Sequence, residues 1–213
     1  MTEVLKVIRS GPSLSFQDTG RIGMGKFGVP ISGPMDPECA ALARHLLFRP
    51  PGELVLEIGF GGSLLEVTAD AWMAHFGGLH CTALPSGSAR LIKAGTKLEF
   101  APGEAMWSYL AIDGKFKAPA FLGSSSQAIT GTETSSISAS LKHSISPAIS
   151  GRFLSPAHDK EWDRNPVVNL HRGPHTAHFK HSDLAYFSQS NWTVSSLSNR
   201  FGYRLDGGRL NSP

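Results

Sequence analysis

Leu54-Val55-Leu56-Glu57-Ile58-Gly59-Phe60-Gly61-Gly62-Ser63-Leu64-Leu65-Glu66-Val67-Thr68-Ala69-Asp70-Ala71-Trp72-Met73-Ala74-His75-Phe76 contains three short, largely apolar runs, parted by a glycine pair and by Ala69-Asp70. Runs this short, bounded by turn residues, read as strands, because a helix needs ten or more residues to bury a useful face. The same cadence extends in both directions. Strands are expected at 4–8, 54–58, 63–67, 72–76, 89–92, 97–100 and 106–112, with Pro85-Ser86-Gly87 and Pro102-Gly103 among the turns. Lys97-Leu98-Glu99-Phe100 alternates polar and apolar, as a half-buried strand does. The fold class is therefore all-β, a barrel or sandwich.

One helix interrupts the strands. Asp36 is placed to cap it, and Pro37 suits the first helical position, where its missing N–H costs nothing. Cys39, Leu42 and Leu46 then share a face, with Ala43 and Leu47 beside them, until Pro50-Pro51 stops the run. Such a helix would plug or flank the barrel.

The 213 residues are 40% hydrophobic and 17% charged, enough to build a core and unlike a disordered tail. The 23 Gly and 14 Pro favour many turns over a helical bundle. Basic and acidic residues nearly balance at a net +3, with no Lys/Arg block longer than two, which argues against nucleic acid as a partner. Cys39 and Cys81 make neither a disulfide framework nor a C-x-x-C pair. Glu3, Lys6 and Arg9 interrupt the start where a signal peptide would be apolar, and no run reaches the ~20 apolar residues of a membrane span. A cytoplasmic protein without a membrane partner is expected.

Two regions are expected along the chain: a barrel domain over 1–150, ending in a Ser/Thr-rich loop at 123–150, and the start of a second unit over 166–213. The second carries strand-like pieces at 167–170, 192–194 and 203–205, but has too few residues for an independent core.

Some patterns mimic known sites. Gly20-Arg21-Ile22-Gly23-Met24-Gly25-Lys26 matches a phosphate loop, yet Phe27 stands where Ser or Thr must ligate magnesium, and Pro30 forbids a following helix. Gly23, Gly25 and Gly28 imitate a dinucleotide fingerprint with the same defect. His171, His175, His178 and His181 lie close in sequence without a ligand spacing typical of zinc, so no metal site is expected. There is no Gly-x-Ser-x-Gly elbow.

Other stretches are too specific for barrel filler. They are Asp18-Thr19-Gly20-Arg21; Gly28-Val29-Pro30-Ile31-Ser32-Gly33-Pro34-Met35-Asp36-Pro37; Leu56-Glu57-Ile58 before its glycines; Tyr109-Leu110-Ala111-Ile112; Leu122-Gly123-Ser124; and Ser198-Asn199-Arg200-Phe201-Gly202-Tyr203-Arg204-Leu205. In this order they resemble the carboxyltransferase subdomain family known as allophanate hydrolase subunit 2, which includes the C-type subunits of 5-oxoprolinases. The resemblance implies a cyclophilin-like β-barrel with one or two short helices, followed by an incomplete second barrel-like unit.

It also implies a reaction class. The expected function is a subunit of an ATP-dependent 5-oxoprolinase-type lactam hydrolase, working with a sister B-type 5-oxoprolinase subunit on a small amide or carboxylate substrate. ATP, with its magnesium, would be shared with that partner. Two alternatives remain open: a non-catalytic regulatory or scaffold module, and the carboxyltransferase part of a biotin-dependent, urea carboxylase-like enzyme. The chain departs from the family pattern at Ser125, where an Arg is usual, in the Ser/Thr-rich stretch that follows, and at His75-Phe76-Gly77-Gly78. The family also continues beyond Tyr203-Arg204-Leu205, so the strands after Pro166 are expected to present open edges unless a partner covers them.

The candidate site residues follow from chemistry laid on these motifs. The loop leading to Asp36 ends at a helix N-terminus, which favours an anion near Ser32 and Gly33. Arg21, Arg200 and Arg204, with Asn199, offer donors suited to carboxylate or phosphate. Asp18, Asp36 and Glu57 are the candidate catalytic acids. Structural duties compete with each of these roles: Asp36 as a cap, Glu57 satisfying a barrel turn, Arg204 pairing with Asp206. The expectation is that the loop and the late arginines converge on one negatively charged guest.

Overall fold

The computed structural model describes residues 2–127, 136–141 and 167–210. The chain divides into two compact units, Met1–Trp162 and Asp163–Pro213. Among the described residues, no helix is long and apolar enough to cross a membrane.

In the first unit the chain runs through β1 (Thr2–Arg9), β2 (Ser13–Gln17), α1 (Pro37–Leu46), β3 (Val55–Gly59), β4 (Ser63–Val67), β5 (Ala71–Gly77), β6 (Ser88–Ile92), β7 (Lys97–Phe100), β8 (Trp107–Ile112), β9 (Gly114–Phe116) and β10 (Ser136–Leu141). These strands form two five-stranded antiparallel sheets, ordered β7-β4-β1-β10-β9 and β2-β3-β8-β5-β6. The all-β reading holds.

Alternation along the strands explains where the core lies. Leu56 and Ile58 of β3, Met73 of β5, and Leu110 and Ile112 of β8 pack in one cluster with Val4, Leu65, Val67, Leu98, Phe100 and Ile137 of the other sheet. Their neighbours along the same strands (Val55, Trp72, Ala74, Phe76, Trp107, Tyr109 and Ala111) point the other way, onto Cys39, Ala40, Ala43, Leu46 and Leu47. The second sheet is thus covered on both faces. That is why β3, β5 and β8 are buried at every position and read as near-continuous apolar runs. Leu46 and Leu47 each contribute roughly 1.5–3 kcal/mol by leaving water. Helix α1 flanks this sheet, and Asp36 caps it by accepting the Cys39 N–H at 3.0 Å.

β2, β9 and β10 lie outside the strands expected from sequence, and β10 falls within the 123–150 stretch expected as loop. The parts of that stretch at 128–135 and 142–150 lie outside the described residues. β10 completes the first sheet by bridging β1 and β9.

The second unit holds a 3-10 turn (Thr176–His178), helix α2 (His181–Gln189) and a two-residue hairpin of β11 (Thr193–Val194) with β12 (Leu205–Asp206). Residues 167–170, expected as a strand, are exposed and belong to no strand. They are largely apolar, but no described strand pairs with them, and pairing rather than composition makes a strand. Helix α2 is a further element absent from the sequence expectation.

Candidate functional site

The site begins where β2 ends. Asp18 opens a turn, and its carboxylate gathers four donors. Oδ1 accepts from Gly20 N–H at 2.8 Å and from the Ser124 and Ser126 hydroxyls at 2.6 Å each, and Oδ2 accepts from Ser125 N–H at 2.7 Å. Asp18 N–H in turn donates to the Ser126 hydroxyl. Partial burial pushes the carboxyl up, but the hydrogen bonds from Ser124, Ser126, Gly20 and Ser125 outweigh it and hold the group below its ordinary range. Ser125, the position where the sequence departs from the family pattern, therefore serves this knot through its backbone.

Arg21 follows in the same turn and is nearly buried. Its Nε donates to Phe121 O at 2.9 Å, Nη2 donates to Ser126 O at 2.8 Å and Ser124 O at 3.3 Å, and Nη1 donates to the Ser32 hydroxyl at 3.3 Å. Its own N–H donates to Ile31 O at 2.7 Å. The guanidinium also lies over the Phe121 ring. Arg21 thus ties three segments together: its own turn, the 121–126 loop and the loop before α1.

That last loop is held from below as well. Ser32 and Gly33 both take left-handed backbone conformations, with φ of 59° and 85°. Met35 N–H donates to Glu57 Oε2 at 2.7 Å, and Asp36 N–H donates to the Tyr109 hydroxyl at 2.7 Å. The Tyr109 O–H donates in turn to Glu57 Oε2 at 3.0 Å. Burial, followed by the neighbouring Glu57 charge, pushes the phenol far above its usual range, so it stays a donor. Asp36 and Glu57 therefore meet through Tyr109 beneath the loop.

Above the loop lies a cavity of about 860 Å³. Asp18, Ser32 and Gly33 line it together with Arg44, His45 and Arg49. Ile22, Ile31, Pro34, Leu42 and Pro51 supply apolar walls. Arg49 is fully engaged: Nε and Nη2 donate to Glu53 Oε2 and Oε1 at 2.6 and 2.8 Å, and Nη1 reaches Asp113 Oδ1 at 3.4 Å. Arg44 differs. It is 6% exposed, its Nε donates to Glu53 O at 2.6 Å, and its Nη2 has no acceptor among the described residues. Burial weakens its hold on its proton, and the nearby Asp18 and Glu53 charges oppose that effect.

Of the residues expected from sequence, the first unit brings Asp18, Ser32 and Gly33 to one cavity, with Arg21 bonded to Ser32 at its edge. Asn199, Arg200 and Arg204 belong to the second unit. There Asn199 Oδ1 accepts the Phe201 N–H at 2.9 Å, while the Arg204 backbone bonds to Ser195 and Ser198 and its side chain is exposed. Sequence reasoning misses Arg44, His45 and Arg49, and it picks out Tyr109 without assigning it a role. An arginine four residues after Ala40, on the buried side of an amphipathic helix, is the available signal for Arg44. Gly20–Lys26 leads only into the three-residue 3-10 turn Gly25–Phe27, too short to present a helix N-terminus to a phosphate. Among the described residues, no cluster of three His, Cys, Asp or Glu side chains is placed to hold a metal. Both cysteines are buried and neither forms a disulfide.

Comparison with known proteins gives this geometry a context. The family model for the carboxyltransferase domain, subdomain A and B, matches residues 27–212. The chain is 30% identical to the C-type subunit of the Escherichia coli 5-oxoprolinase, with 96% of this chain and 69% of that protein aligned. It is 27% identical to the urea amidolyase of Saccharomyces cerevisiae, with 95% of this chain and 12% of that protein aligned. Among solved structures, TTHA0988 superposes with a TM-score of 0.70 at 25% identity, covering 98% of this chain and 80% of that one. The Kluyveromyces lactis urea amidolyase superposes with a TM-score of 0.65 at 25% identity, covering 100% of this chain and 14% of that one.

Proposed function

The chain belongs to the carboxyltransferase domain family, subdomain A and B, and on that footing we propose that it is the C-type subunit of a 5-oxoprolinase. In this reading it joins a sister subunit of the B type in an assembly that uses ATP to open the lactam of 5-oxoproline with water, yielding glutamate. The observation that carries the proposal is its 30% identity, across nearly its whole length, to a 5-oxoprolinase subunit.

The nucleotide belongs to the assembly rather than to a glycine-rich loop of this chain, because the Gly20–Lys26 stretch lacks the helix that would receive a phosphate. What this chain contributes is a preformed cavity bounded by a doubly anchored loop. The acids expected from sequence to be catalytic act, on this reading, by positioning. Glu57 and Asp36 fix the loop through Tyr109 and the α1 cap, and Asp18 knots the turn that carries Arg21. The substrate, a small amide or carboxylate, occupies the cavity they frame.

The relatives that are urea amidolyases support a second reading, a carboxyltransferase that receives its carboxyl group from biotin on another chain. A third is a scaffold without turnover. A two-arm experiment separates all three: the purified chain is mixed with a B-type subunit and magnesium, one arm receiving ATP and 5-oxoproline with glutamate measured, the other carboxybiotin and urea with carboxylated urea measured. Glutamate formation that needs both chains supports the proposal. A stable complex without glutamate selects the scaffold, and carboxyl transfer from carboxybiotin to urea selects the carboxyltransferase.

A further inference from the structure

We propose that the loops carrying Ile22, Ile31, Phe121 and Leu122 form the docking surface for the B-type subunit, and that the face they receive is apolar with carboxylates at its edge. This rests on the reading above and deepens it, because it assigns the place on this chain where the assembly joins.

The first argument is clustering. Ile22 is 76% exposed and Phe121 61%, and Ile31 and Leu122 are exposed as well. They come from segments far apart in the sequence, and Arg21 draws them together. Its N–H donates to Ile31 O, its Nε donates to Phe121 O, and its guanidinium lies 5.5 Å from the centre of the Phe121 ring. Ile22 and Ile31 also line the cavity, so they stand where it opens to solvent. Among the described residues of the first unit, the other exposed large apolar side chains are Phe27, on the same loop as Ile22, and Ile8, Phe48, Leu91 and Met106, one to a segment. Single exposed apolar residues are ordinary, whereas several gathered on one frame mark a surface that another molecule covers.

The second argument is the backbone beneath the patch. Leu122 has a φ of 49°, in the left-handed region that strains a leucine and suits a glycine. Burial of the side chain would offset that strain, but Leu122 is about half exposed. An apolar side chain held in a strained conformation and left in solvent is explained when a partner buries it. The frame is also set beforehand. The bonds of Arg21 and of Asp18 fix the 121–126 loop against the 18–21 turn, so docking has little chain left to order.

The third argument is charge. Within residues 18–34 and 114–127 the only acidic residue is Asp18, and its oxygens are already taken by Gly20, Ser124, Ser125 and Ser126. Lys26 and Lys117 of the same segments are exposed and make no ion pair among the described residues; the Lys26 ammonium lies over the Phe27 ring. The patch is therefore edged by positive charge, which fits a partner edged by carboxylates. A second copy of this chain, joined by a two-fold axis, would set the same basic edge on both sides of the contact, so self-association is disfavoured. The partner subunit of the assembly is the occupant that remains, and its docking would lid the cavity that Ile22 and Ile31 border.

The test is calorimetric titration of the B-type subunit with the full chain, accompanied by sedimentation of the full chain alone. The proposal expects Ile22→Ser and Leu122→Gly each to weaken the complex at least tenfold. Ile8→Ser, which removes an exposed apolar side chain elsewhere on β1, should leave it unchanged. Leu122→Gly decides the matter if another variant does not fold, because it relieves the left-handed strain and should melt no lower than the native chain. Lys26→Glu combined with Lys117→Glu should also weaken the complex at least tenfold. Native affinity in folded Ile22→Ser or Leu122→Gly, indifference to the charge reversal, absence of any complex, or self-association of the chain that Leu122→Gly abolishes overturns the proposal. Failure of the lactam reading is distinguishable: the complex would form through this surface while releasing no glutamate. Failure of the docking surface alone would leave glutamate formation intact in assemblies built with these variants.

Discussion

Tyr109 donates its phenolic O–H to Glu57 Oε2 over 3.0 Å, and its oxygen accepts the Asp36 N–H at 2.7 Å. Tyr109 and Glu57 sit directly opposite each other on neighbouring strands β8 and β3, and Tyr109 lies on the face that α1 covers. A cross-strand pair inside the sheet thereby fixes a loop outside it, and that loop carries Ser32 and Gly33 to the cavity.

Removing the hydroxyl strips both Asp36 N–H and Glu57 of a partner in a dry layer. Tyr109→Phe is expected to cost about 1–3 kcal/mol, since a buried group left unpaired forfeits its desolvation cost. Glu57→Gln, which keeps one carbonyl acceptor, should cost less. The double variant should fall short of the sum by at least about 0.5 kcal/mol, because the two residues share one network. Urea unfolding of the four proteins measures the coupling; strict additivity would mean that the two residues hold the loop independently.

Asp18 couples the site to pH. Its folded-state value lies below the ordinary one, so its contribution is present above the unfolded value near 3.8 and is lost as pH falls through the folded value. Asp18→Asn should lower stability at neutral pH by about 1–2 kcal/mol, the lower end being favoured because the carboxylate is only part-buried. It should also flatten the acid limb of the stability curve below pH 4. Thermal melts from pH 7 to 2.5 give both quantities, and an unchanged acid limb would remove Asp18 from the account.

Much of this architecture is legible in the sequence because it rests on local chemistry. The Asp36-Pro37 start of α1 and the strands from Val55 to Ile112 follow from caps, turns and short apolar runs. β2 and β10 escape for different reasons: Ser13 and Ser15 of β2 are fully buried, so polar residues stand where a core is usually apolar, while β10 alternates serines with Ile137, Ala139 and Leu141 inside a Ser/Thr-rich stretch that reads as loop. α2 escapes because Leu184, Tyr186 and Phe187 do not share one clean helical face. Arg44 and Tyr109 gain their roles from partners distant in the chain or from burial created by the fold, which no local window contains.

His75 should set a second, separate pH response. It projects from β5 into the core between the sheets, with Nδ1–H donated to Leu84 O at 2.8 Å and its ring edge-on to Phe100. Burial pulls its pKa down to about 4, and the Leu84 carbonyl only partly offsets this. Between pH 6.5 and about 4 the unfolded chain binds a proton that the folded chain refuses, so stability falls as the solution is acidified. The loss across that window is about 3 kcal/mol at most. His75→Asn, which keeps a donor for Leu84, should be less stable at pH 7 yet show little slope between pH 6.5 and 4.5. Denaturant midpoints at several pH values test this, and a variant slope equal to that of the native chain would place the titration elsewhere.

Two glycines of one loop make a controlled comparison for how the site turn is pinned. Gly20 and Gly23 both have positive φ, 79° and 83°. A side chain on Gly20 would run into the Ile31 carbonyl oxygen, the same oxygen that accepts the Arg21 N–H, whereas Gly23 has nothing within 4 Å. Gly23→Ala therefore meets backbone strain alone, about 1 kcal/mol. Gly20→Ala meets that strain and must also push the loop before α1 away from Arg21, so a cost of about 3 kcal/mol or more is expected. Because the Arg21–Ser32 contact spans the same gap, Gly20→Ala should also loosen that contact, while Gly23→Ala leaves it unchanged. Paired unfolding measurements decide the point: equal costs for the two substitutions would show that the close approach of Ile31 to the turn does not constrain the site.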